Sequence, residues 1–132
     1  MALEAVAELV RARAMTLLPA RVYTTEFGRI GAAERGDGPA FSEEAAEIGR
    51  MVAVVARSMP FRAACLQQAI AVRRMLRRRG ILATVLLGVS RDAAERAAPR
   101  DRAAAHAWVT VGSAVINGDG DLARYAVVAR FV

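Results

Sequence analysis

The chain has one cysteine, Cys65 in FRAACLQQAIAV, and one histidine, His106 in AAAHAWVTV. A thiol and an imidazole together make a nucleophile and its base. The ring takes or shares the thiol proton, and the resulting ion pair is reactive near neutral pH. Such a pair needs a third group, typically a carboxylate, to hold the ring tautomer and stabilise its positive form. Each residue also has a plainer reading. A free cysteine packs as a small hydrophobe, and a histidine beside alanine can be an ordinary structural residue. The surrounding elements decide between these readings.

Cys65 stands near the start of an expected helix running from about Phe61 or Ala63 to Arg79, with Leu66, Ala69, Ile70, Arg73 and Leu76 along its inward side. The free N–H groups of a helix start carry partial positive charge and favour a thiolate there. Arg77, Arg78 and Arg79 suit the negative end of the dipole, and Gly80 reads as the C′ residue.

His106 opens HAWVTV, an alternating run of strand formers. Gly112 and Ser113 form a two-residue hairpin turn of the kind that favours type II′, and AVIN is the return strand. With those two residues as the loop, Val111 faces Ala114, each facing pair adds to 225, and His106 falls opposite Asp119. Opposed residues project to one face with Cβ atoms roughly 4.5–5.5 Å apart, so this register sets a carboxylate beside the imidazole. Asp121 takes that place only if the loop is longer. Trp108 shares the His106 face if alternation holds, as cleft lining or as core.

The remaining elements must position this set. Leu3, Val6, Ala7, Val10, Ala14, Leu17 and Leu18 recur at helical spacing until Pro19 stops the pattern. Gly36 to Pro39 reads as a loop. Ser42 is an N-cap followed by Glu43, Glu44 and Glu47, and a helix lies within Phe41 to about Met59. Ile81 to Val89 reads as a buried strand, Ser90 to Ala104 as a long exposed loop, and Tyr125 to Val132 as a last strand. Helices followed by an antiparallel sheet predict an α+β fold, with the N-terminal helices packed on a small sheet.

Composition narrows the function. The chain has 132 residues, 55% of them hydrophobic, enough for one domain with a real core. All 19 basic residues are arginine; against 13 acids they give a net charge of +6. That charge suits an acidic peptide, an acidic partner or nucleic acid, though no nucleic-acid motif accompanies it. The Arg73–Arg79 run is either a docking surface or a solvated helix end. A lone cysteine forms no internal disulfide. The N-terminus carries Glu4 and Glu8 before its first arginine, unlike a signal peptide, and no apolar run is long enough to span a membrane. These features predict a cytoplasmic protein. No close-spaced ligand pair suggests a metal site, and no cofactor is implied.

The order of helix cysteine, LATVLLGV strand, HAWV strand, hairpin and NGD resembles the transglutaminase-like branch of the papain-type cysteine proteases. More narrowly, CLQQAIAVRRMLRRRGILATVLLGV, AHAWVTV and VINGDGDLARYAVV resemble the lasso-peptide leader peptidases, over roughly Phe61 to Phe131. The resemblance implies a transglutaminase-like cysteine protease core over residues 60–132, behind a helical N-terminal part over 1–59, in a single domain. It implies Cys65 as nucleophile, His106 as base and Asp119 as orienting acid, cutting a ribosomally made precursor after a leader with a penultimate threonine. Met59 stands six residues before the cysteine, so no upstream glutamine supplies an oxyanion donor; the Cys65 N–H can supply one. Gln67 and Gln68 lie on the helix after the nucleophile. The implied partners are the precursor peptide, a separate precursor-recognition protein and, as a further candidate, a lasso cyclase. The residues upstream of Phe41 are too few for a fused peptide-binding domain. The alternatives are a transglutaminase-like acyl transferase and a non-enzymatic basic binding module.

Overall fold

The computed structural model describes residues 1–18, 43–61, 63–92 and 105–131. Among them are three helices, α1 (Ala2–Thr16), α2 (Glu43–Ser58) and α3 (Cys65–Arg78), and four strands. The strands are β1 (Thr84–Ser90), β2 (Ala105–Val111), β3 (Ala114–Asn117) and β4 (Tyr125–Phe131), with a 3₁₀ turn at Leu122–Arg124 before β4. The sheet order is β3-β2-β1-β4, and every neighbouring pair is antiparallel. This is the expected α+β plan. The stop at Pro19, the loop at 36–39, the Ser42 cap and the loop over residues 93–104 lie outside the described residues.

Helix α3 is central. It packs against α1 and α2 on one side and β2 on the other, so Ala71, Val72 and Met75 are buried as well as Ala69, Ile70, Arg73 and Leu76 of the expected inward side, with Leu66 half-buried. Leu9, Ile48, Val52, Ile70, Met75, Leu76, Val85 and Val109 fill the core between the layers. The helix ends in a Schellman motif. Gly80 takes φ +70°, its N–H bonds the Arg77 carbonyl, and the Ile81 N–H bonds the Leu76 carbonyl, both at 3.0 Å.

Helix α1 forms as expected, but the face it buries is not its apolar stripe. Its buried residues are Ala5, Glu8, Leu9 and Ala12, whereas Leu3, Val6, Val10, Leu17 and Leu18 are exposed. The small alanines allow close approach to α3, and the buried carboxylate of Glu8 answers arginines there. Arg74 Nε donates to Glu8 at 2.7 Å, and Arg78 also pairs with Glu8. Arg79 donates to Glu4 at 2.7 Å and lies 3.3 Å from Glu44. Three arginines of the Arg73–Arg79 run are therefore turned onto α1 and α2. In this fold the run pins helices together rather than offering a free basic surface.

The hairpin turn is as expected. Gly112 has φ +58°, and among the described residues no non-glycine residue has positive φ. A type I′ turn needs positive φ at both central residues, so this pattern is type II′.

Candidate active site

Cys65 is the first residue of α3, which begins later than periodicity suggested. The N-cap is Ala64, which has no side-chain acceptor. Gln67 compensates: its Oε1 accepts the Ala64 N–H at 3.1 Å, and its Nε2 donates to Thr16 Oγ1 at 3.1 Å. Gln68 Nε2 donates to the Ala63 carbonyl at 2.9 Å. Both glutamines thus serve the helix start. Cys65 is half-buried against the core.

His106 is the second residue of β2. Its Nε2 lies 2.6 Å from the Gly118 carbonyl oxygen. A carbonyl only accepts, so Nε2 must carry the hydrogen and the neutral ring keeps its lone pair on Nδ1. The ring stacks against both Trp108 and Tyr125, with centroids 5.8 and 5.1 Å away, and those two rings are themselves 6.4 Å apart, so the three form a triangular cluster. Gly88 makes room for this cluster. It pairs with His106 across the β1–β2 ladder, and a Cβ there would come within 2.9 Å of the Trp108 ring and of Tyr125 Cβ. Trp108 is both buried and a wall of the His106 site.

The β2–β3 register corrects the expected position of Asp119. Val111 faces Ala114 and Thr110 faces Val115, as the two-residue turn dictates. A β-bulge then intervenes, and Val109 faces Asn117. One extra residue on β3 reverses the faces of everything beyond it. Asp119 is therefore not opposite His106. It is exposed, and the ring's partner is the Gly118 carbonyl. Gly118 has φ +82°, and a Cβ there would meet the Ala107 carbonyl oxygen at 2.6 Å; glycine is needed for this close approach. Asp119 lines a groove of about 320 Å³ between α2 and β3, with Gly49, Arg50 and Asn117 among its neighbours. Asp121 is exposed and precedes the 3₁₀ turn without capping it through its side chain.

Alternation along β2 puts Ala107, Val109 and Val111 on the helix-facing core and His106 and Trp108 on the other face. No hydrogen bond joins the Cys65 thiol to the ring among the described residues. The thiol lies in the helix layer and the ring on the opposite face of the sheet, and the structure does not bring the two into contact. Gln68, one helical turn after Cys65, accepts from Asn117 Nδ2 at 3.4 Å. Asn117 adjoins Gly118, which accepts from His106.

Asn117, Gly118, Gly88 and Tyr125 were not singled out by their residue types. Gly88 interrupts an apolar strand, a signal of close approach. Asn117 is buried, with Oδ1 lacking a partner among the described residues, which only the tertiary structure reveals. Among the described residues no three ligand-type side chains cluster to hold a metal, and no helix is long and apolar enough to cross a membrane.

A model of the transglutaminase-like superfamily matches residues 8–130, from α1 through β4. Comparison with curated proteins and with solved structures gives no match. The helices, the antiparallel sheet and the helix-start cysteine agree with that family match: the chain belongs to the transglutaminase-like superfamily, whose members are usually cysteine-dependent enzymes.

Proposed function

We propose that the chain is a cysteine peptidase that removes the leader from a ribosomally made lasso-peptide precursor. The observation that carries this reading is the fixed Nε2–H of His106, which keeps the Nδ1 lone pair available as a base. The CLQQ, HAWV and NGD segments support the narrower substrate class by resemblance.

This mechanism requires the His106 ring to come within reach of the thiol when substrate binds; the Cys65 thiol then passes its proton to His106, and the thiolate attacks the scissile carbonyl. The Cys65 N–H, at the start of α3, donates to the developing oxyanion. His106 then protonates the leaving amine. Water attacks the thioester, His106 takes its proton, and the free thiol returns as the leader acid departs. Asp119 is the acid of the set. It directly follows Gly118, whose carbonyl holds the ring.

The precursor peptide and a separate precursor-recognition protein complete the proposal. Tethering the leader beside the cleft raises its effective concentration to about the mM range for a short link. The test is cleavage of a precursor encoded beside this gene, with and without the recognition protein, followed by mass spectrometry. Two products cut after the leader, faster with the recognition protein and absent with Cys65→Ala, support the reading. A leader joined to an amine acceptor instead identifies an acyl transferase. Undiminished activity in Cys65→Ala rules out thiol catalysis.

A further inference from the structure

The face of α1 turned away from the core is apolar. Leu3 is 86% exposed, Leu17 74% and Val10 49%, with Val6 also exposed. Ala7 and Ala14 lie between them on the same face, and no charged residue interrupts it. Arg13, on one flank, reaches toward the Phe61 ring, 5.9 Å from its centroid. Glu4 and Glu8 are engaged by α3 on the other side. A packed helix normally buries such a stripe; here the buried face is the one with Glu8.

We infer that this face pairs with the same face of a second copy of the chain. The positions 3, 6, 10, 14 and 17 are symmetric about residue 10. A two-fold axis beside Val10, with the helices antiparallel, sets Val10 on Val10, Leu3 on Leu17 and Val6 on Ala14. A two-fold interface must be self-complementary in this way. The pairing opposes large residues to large at both ends and places no like charges opposite one another. From their exposed fractions the apolar side chains of this face present about 600 Å² per chain, so a pair that covers them fully buries at most about 1,200 Å², the lower limit for a specific interface. That is also as large as the largest apolar patch on a typical monomer. The net charge of +6 makes two copies repel at long range, so salt should strengthen this association. Binding to a polyanion would respond in the opposite sense.

The experiment is sedimentation equilibrium on the full chain, with cysteine cross-linking in a Cys65→Ala background. The expected result is a monomer–dimer equilibrium that tightens with salt and is weakened about tenfold or more by Val10→Glu, with the helical circular dichroism unchanged. Under mild oxidant Val10→Cys should form a disulfide dimer. Leu3→Cys and Leu17→Cys should cross-link when mixed and not singly. Val54→Cys, exposed on α2, is the control. A chain that stays monomeric at high micromolar concentration overturns the proposal. So does a dimer that Val10→Glu leaves intact, or a Val10→Cys chain that cross-links no faster than the control.

Discussion

Asp119→Asn and Gly118→Ala separate two ways of holding the catalytic ring. If the Asp119 carboxylate hydrogen-bonded His106 as the third member of a triad, its loss would cost about 10⁴-fold in rate, as in the best-studied triad. In this structure the Gly118 carbonyl has that role, at 2.6 Å, and Asp119 is exposed. A solvent-screened carboxylate favours a nearby imidazolium by about 0.2–1 kcal/mol. At 1.36 kcal/mol per tenfold, Asp119→Asn should slow cleavage by no more than about five-fold. Gly118→Ala acts on the acceptor itself. Its Cβ would meet the Ala107 carbonyl oxygen at 2.6 Å from a φ of +82°, strain of about 1–3 kcal/mol that the backbone relieves by moving the Gly118 oxygen. The rate should then fall further than in Asp119→Asn, by tenfold or more. The assay is single-turnover cleavage of precursor peptide under saturating enzyme, which reads the chemical step apart from binding. A 10⁴-fold loss in Asp119→Asn with a mild Gly118→Ala would refute this reasoning and return the orienting bond to the carboxylate.

Three further outcomes are expected. Cys65→Ala should keep its circular dichroism spectrum yet give no cleavage, and wild-type Cys65 should be alkylated by iodoacetamide faster at pH 6 than a free model thiol; equal rates would argue against an activated thiol. Glu8→Gln removes a carboxylate whose side chain is 3% exposed and should destabilise the fold by about 1–3 kcal/mol in urea, the stranded arginines being partly open to water. The Arg79 hydrogen bond holds the Glu4 carboxyl below its ordinary value of 4.5, so its stabilisation is complete above that value and is lost as pH falls through the lower folded one. Glu4→Gln should accordingly flatten the acid limb of the stability curve, and an unchanged limb would contradict the pairing.

Local patterns determined the elements and their order. Three apolar periodicities, the Gly80 stop, the Gly112–Ser113 turn and the alternating HAWVTV run each depend on a few neighbouring residues, and each element formed within a few positions of where it was read. The cysteine at a helix start and the histidine at a strand start were legible for the same reason. What the helices face was not. Periodicity finds an apolar stripe but not which neighbour covers it: on α1 the Glu8 ion pairs with α3 turned the helix so that its richest apolar face points outward, while α3, packed on two sides, buried more than one stripe. Nor was the position of Asp119 fixed, because a strand has a period of two and one bulged residue between Thr110 and Val109's partners exchanges its faces. That bulge, and the Gly118 carbonyl it brings to His106, arise from how β3 settles between β2 and α2, where Gly49 lets Ile116 approach closely. The residue types that can do chemistry are properties of the sequence; which atom holds the imidazole depends on contacts between elements far apart along it.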